Sequence, residues 1–98
     1  MIWNNRPTDV EAFHQHYRDV HIPLAKSLPG VRRYTLSVEP QPVRGEPVYA
    51  VAELDWDDME TAQKAFTSET GKAVSEDVEK LSHWSPGVQS MVCELEDL

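Results

Sequence analysis

Cysteine is almost missing from this sequence: Cys93 is the only one in 98 residues. It has no partner for an internal disulfide and no second thiolate with which to cage a metal. Its alternating apolar surroundings predict a small core residue instead. Long hydrophobic runs are missing too. None approaches the ~20 residues of a membrane span, and no basic start precedes an apolar block as a signal peptide requires. The expected setting is cytoplasmic. Basic charge is scarce, with 9 Lys and Arg against 17 Asp and Glu and a net charge of -8, which argues against nucleic acid and acidic membrane surfaces as partners. The glycines number four, none forms a phosphate-cradling loop, and no G-x-S-x-G elbow occurs, so flavin and nicotinamide binding have no support. A small organic ligand or a second copy of the chain remains.

What is present reads as one domain over residues 1–98, with no linker and no internal repeat. A short apolar start, Met1 to Asn4, precedes a polar turn in which Thr8 or Asp9 can cap a helix. Val10, Phe13, Tyr17, Val20, His21 and Leu24 recur at three or four residues, the stripe of a helix buried on one side. "LPG" at Leu28 to Gly30 stops it. Val31 to Glu39 and Val48 to Trp56 alternate as strands. Asp57 with Glu60 looks like a capping box for a helix carrying Met59, Ala62 and Phe66 inward. A bend near Gly71 leads into a second helical stretch with Val74, Val78 and Leu81 inside, and "EDVEK" reads as its solvated face. Val88 to Leu95 alternates as the last strand.

Strand, helix, strand, strand, helix, strand is the βαββαβ order of an α+β, ferredoxin-like, four-stranded antiparallel sheet with helices on one side. The N-terminal strand is short for the central place this topology gives it: either a stub, or a chain that begins later than its relatives. The uncovered sheet face is expected to carry Tyr49, Val51, Val88 and Val92 or their alternating counterparts, an apolar patch unusual on a monomer. A homodimer packed through that sheet face would hide it.

"FHQHYRDVHIPLAKSLPGVRRYTLS" resembles the EthD family of dimeric α+β barrel proteins, whose members show an aromatic residue, Y-R-x-x-H-x-P-L, then L-P-G followed by R-R-Y. Tyr17, Arg18, His21, Pro23, Leu24, Leu28, Pro29, Gly30, Arg33 and Tyr34 match. "AELDWDDMETAQKAF" and "GVQSMVCELED" are similar to the family's third strand, second helix and last strand. The family is named for an accessory protein of ether degradation, and related members include a methylmuconolactone isomerase and fungal polyketide tailoring enzymes. The resemblance therefore implies chemistry on a small lactone, aromatic or polyketide-like molecule.

His21 stands two residues before Pro23, which lacks an N–H and disfavours helical angles at Ile22. The helix is expected to break there, with Pro23 opening a second segment and free carbonyls beside His21. His21 and Tyr17 share one helix face, and the expectation is that they line an enclosed pocket under the sheet rather than fill core. His21 is the expected general acid or base, titrating near neutral pH. Phe13, Tyr17, Leu24, Tyr34 and Trp56 are the expected substrate contacts. A lone histidine on an apolar stripe is also what a hydrogen-bonded core residue looks like, and no orienting carboxylate stands at an obvious spacing, although Asp19 and Glu53 are candidates. No histidine pair has the i, i+4 spacing that shares a metal, and His14 and His16 diverge, so no metal and no cofactor are expected. A haem held by His21, as in related barrels, is the alternative. The second functional class is a non-catalytic dimer that binds such a molecule or supports a neighbouring oxygenase.

Overall fold

In the computed structural model, which describes residues 1–98, the Asp9 carboxylate accepts the Ala12 amide hydrogen at 3.0 Å and starts helix α1 (Val10–His16). Tyr17–His21 continues it as a π-helical segment, and α2 (Ile22–Lys26) returns to α-helix. The expected break at the proline is absent. His21 (φ -67°, ψ -49°) and Ile22 (φ -59°, ψ -51°) both keep helical angles. Instead the Ile22 amide reaches back five residues to the Tyr17 carbonyl. This wider turn takes the Asp19 carbonyl out from under the Pro23 ring, removing the clash by which proline ordinarily breaks a helix. Gly30, at φ +73°, ends the excursion in the left-handed region.

The sheet consists of β1 (Ile2–Trp3), β2 (Arg33–Val38), β3 (Ala50–Asp55) and β4 (Val88–Gln89), ordered β2-β3-β1-β4 with every neighbouring pair antiparallel. Trp3 pairs with both Ala50 and Val88, so these three share the helix-covered face. Val88 therefore points inward, contrary to expectation. So does Tyr49, which is buried against Phe13 and shares a 2.6 Å hydrogen bond with His14. The open face carries Ile2 and Val51 among Thr35, Ser37, Glu53 and Asp55, fewer apolar groups than the alternation suggested.

The last strand stops at Gln89 rather than Leu95. Its ladder is limited to the two residues of β1, Trp3 opposite Val88 and Ile2 opposite Gln89. Met91, Val92, Cys93 and Leu95 are consequently exposed, and Cys93 is not the expected core residue.

Helix α3 (Met59–Thr67) is capped by Asp58 rather than Asp57: its carboxylate takes both the amide and hydroxyl hydrogens of Thr61. Those bonds hold its carboxyl below the ordinary carboxylate range. Ser68 caps α4 (Glu69–Ser82) through the Gly71 amide. No helix is long and apolar enough to cross a membrane.

Gly71 is buried where the two helices meet, and a Cβ there would press into the carbonyl oxygens of Ala65 and Phe66. Gly71→Ala is expected to cost about 1–3 kcal/mol, the usual penalty of overpacking. Urea denaturation measures it; an unchanged midpoint would mean that the helices reseat freely.

Two clusters fill the space beneath the sheet. Trp3, Phe13, Tyr17, Tyr49, Ala50 and Leu81 form the larger, and Ala25, Leu28 and Ala65 the smaller, with Tyr34 packed against both.

Candidate functional site

The four-residue step from Phe13 to Tyr17 to His21 puts three rings in a column on the inner face of the first helix. Tyr17 stacks on Phe13 with centroids 5.8 Å apart and lies 5.0 Å from the His21 ring. From β2, the Tyr34 hydroxyl meets the Tyr17 hydroxyl in a hydrogen bond. From α4, Asp77 closes the group: its Oδ2 lies 2.8 Å from His21 Nδ1 and its Oδ1 lies 2.6 Å from His16 Nε2. Asp77 is only 4% exposed and His21 2%.

The π-helical segment is what lets one carboxylate hold both histidines. At 3.6 residues per turn, positions five apart diverge by about 140°, too far to meet one partner from a straight α-helix. Five-residue hydrogen bonding sets residue i+5 almost over residue i, and His16 and His21 then project to the same side. His14 does diverge, reaching Tyr49 instead.

Burial pushes the His21 pKa down, because the cation would lose its hydration; the Asp77 hydrogen bond and charge act the other way, and His16 adds to the lowering. With Asp77 accepting, Nδ1 carries the ring hydrogen and the Nε2 lone pair is left without a partner in the chain. Tyr17 is pushed far up, first by burial and then by Tyr34, and Tyr34 is pushed up by burial. Both phenols therefore keep their protons at neutral pH. One hydroxyl donates to the other, and the second hydrogen is free for another acceptor. The cluster combines an oriented imidazole with a spare phenolic hydrogen.

Two open surface clefts lie nearby. One, of about 330 Å³, is lined by Ala12, Gln15, His16, Asp19, Val20 and Trp84; the other, of about 260 Å³, includes Arg6, Glu39 and Tyr49. Neither is lined by His21 or Tyr17. Within one chain these two side chains are buried, held by the stack on Phe13 and by the bonds to Tyr34 and Asp77. The structure therefore brings together Phe13, Tyr17, His21 and Tyr34. Trp56 belongs to the other cluster, where its indole N–H donates to the Pro29 carbonyl at 2.9 Å and its ring packs on Phe66. Leu24 is half-buried and its carbonyl accepts the Ser27 hydroxyl.

The family model of the EthD domain matches residues 5–83, a stretch that contains every side chain of this cluster. The chain belongs to the EthD family. An EthD family protein from Bacillus halodurans, solved by crystallography, superposes with a TM-score of 0.71 at 31% identity, covering 81% of this chain and 79% of that one. An uncharacterised 11.0 kDa protein of Rhodococcus erythropolis, from the thcB-thcC intergenic region, is 34% identical over 76 residues, or 76% of this chain and 73% of the relative.

In this EthD chain the orienting carboxylate is Asp77, and neither Asp19 nor Glu53 fills that place. Asp77 falls inside "EDVEK", where a solvated face was expected. The signal was in the spacing: Asp77 stands three residues after Val74 and four before Leu81, on the buried stripe itself. A carboxylate there needs partners, and the helical stretch opposite supplies two.

Proposed function

We propose that this EthD protein is a cofactor-independent enzyme acting on a small lactone, aromatic or polyketide-like molecule. His21 serves as general acid or base, and the Tyr17–Tyr34 pair donates to a substrate oxygen. The observation that carries this reading is the Asp77–His21 contact. A buried carboxylate on Nδ1 selects one tautomer and leaves Nε2 as the proton-exchanging atom, the arrangement in which histidine works as an acid or base. Family membership fits this without naming the reaction.

The second reading is a non-catalytic dimer that binds such a molecule or supports a neighbouring oxygenase. It draws support from the closure of His21 and Tyr17 at 2% and 1% exposure within one chain.

A panel of small lactones, phenols and cyclic polyketide-like molecules separates the two, using ligand-observed NMR for binding and chromatography for product. Product that disappears with His21→Gln supports the enzyme. Binding without product supports the accessory role, and no binding at millimolar concentration sinks both.

The homodimer is part of the proposal. The open sheet face with Ile2 and Val51, continued by the exposed Met91, Val92 and Leu95, supplies apolar surface for a second copy, in a cytoplasmic setting where Cys93 stays reduced. Light scattering at micromolar concentration is expected to give twice the 11.2 kDa chain mass, and a monomer there would overturn it.

A further inference from the structure

Three titratable groups form one buried unit, and charge counting constrains how they behave together. Asp77 supplies one carboxylate to two imidazoles, at 2.6 Å to His16 and 2.8 Å to His21. When both rings are neutral, His16 Nε2–H and His21 Nδ1–H each donate to a separate oxygen, and the unit carries the carboxylate's single negative charge. One added proton neutralises it. The His16 end of the unit is the open one, its side chain 22% exposed beside the cleft with Trp84 and Asp19. The His21 end is closed, its side chain 3% exposed. A second proton would leave a net positive charge in the same buried space, which costs heavily.

We propose that His16 is a positioning residue for His21: by sharing Asp77 at the surface end, it keeps His21 in the neutral form with Nδ1 protonated and Nε2 free. For its use in catalysis this rests on the reading of His21 as an acid or base, but its test needs no substrate.

The surroundings of His21 allow few other sources of such control. Tyr17 on its own helical segment stacks on the ring, Tyr34 of β2 acts through Tyr17, and Asp77 of α4 holds Nδ1. Arg18, Asp19 and Lys26 along the same helix, and Glu76 and Lys80 on α4, are exposed. The π-helical segment gives the pairing its geometric basis, because without it His16 and His21 would face about 140° apart.

The experiment is a pH titration of the histidine rings in the full-length chain by long-range 1H–15N NMR, which reports tautomer and protonation for each ring. In the wild type His21 is expected as the Nδ1–H tautomer. His16→Gln is expected to move the His21 midpoint upward, because a repelling proton is gone while Asp77 stays. Asp77→Asn is expected to move it downward, because the stabilising charge is gone. Opposite movements from two changes in one cluster are not what general loosening produces. A His21 midpoint unmoved or lowered by His16→Gln overturns the proposal. If His16→Gln fails to fold, His16→Asn serves, and an Nε2–H tautomer at His21 in the wild type overturns the proposal without any variant. Failure here leaves the substrate screen untouched, and an empty screen leaves the titration readable.

Discussion

His21→Gln is expected to lower turnover by roughly 10²–10⁴-fold on whichever substrate the panel identifies, the loss typical of a removed general acid or base. Glutamine is the informative replacement. It fills similar space and keeps an N–H to offer Asp77, so the buried carboxylate retains a donor, but it has no titratable nitrogen. Alanine would also leave Asp77 short of a partner and open a void, mixing chemistry with stability. Initial rates measured beside near-ultraviolet circular dichroism separate these effects. A variant with native dichroism and a rate within about threefold of wild type would remove His21 from the chemistry and favour the binding role. Tyr34→Phe provides the companion measurement: it deletes one hydroxyl of the phenol pair and leaves the Tyr17 hydrogen without the neighbouring hydroxyl that polarises it. If that hydrogen holds a substrate oxygen, the loss falls mainly on steps in which charge builds on the oxygen, and is smaller than the loss at His21.

The parts of this molecule legible in its sequence are those set by local chemistry. Asp9 as a cap, the inward stripe of Phe13, Tyr17 and His21, the stop at Gly30 and the interruption at Ser68 just ahead of Gly71 each follow from backbone or side-chain preferences within a few residues. What escaped depends on contacts between distant segments. The π-helical turn is one example: a proline inside a helical stretch signals a disturbed backbone, but whether the helix breaks or widens depends on the packing around it. Here the widened form aligns His16 with His21 over Asp77, whose two bonds help to repay it. Tyr49 is another. Alternation assigned it to the open face, but it stands just before β3 begins, where the strict two-residue period does not hold, and its ring turns to Phe13 and its hydroxyl to His14. Val88 to Leu95 alternates well enough for a long strand, yet strand length depends on having a neighbour, and β1 supplies two residues. Asp77 is hidden for the opposite reason. Its charge outweighed its place on the stripe, although a buried acid is the feature most in need of explanation.

Asp77→Ala is expected to destabilise the folded chain by about 2–4 kcal/mol at neutral pH, since it removes an acceptor for two donors and leaves the His21 Nδ1–H with no partner in the core. Against the ~5–15 kcal/mol that holds typical domains together, that is a large fraction. The pH dependence has a definite sign. Burial holds the folded His21 below its ordinary value of 6.5, so between that lowered value and 6.5 the unfolded chain binds a proton that the folded chain does not. The contribution from His21 is therefore fully present above about 6.5 and is lost as pH falls through that window. Removing Asp77 takes away the groups that pull the His21 pKa back up, which widens the window downward and makes the variant lose more on acidification than the wild type. Urea midpoints at pH 7.5 and pH 5.5 for wild type, Asp77→Ala and His21→Gln provide the comparison. The advantage of wild type over His21→Gln is expected to shrink at the lower pH, because glutamine does not titrate, and the advantage over Asp77→Ala to grow. If wild type instead gained on His21→Gln as the pH fell, folding would be raising the affinity of His21 for its proton, the Asp77 charge would outweigh burial, and the residue would enter the chemistry as a cationic acid rather than a neutral base.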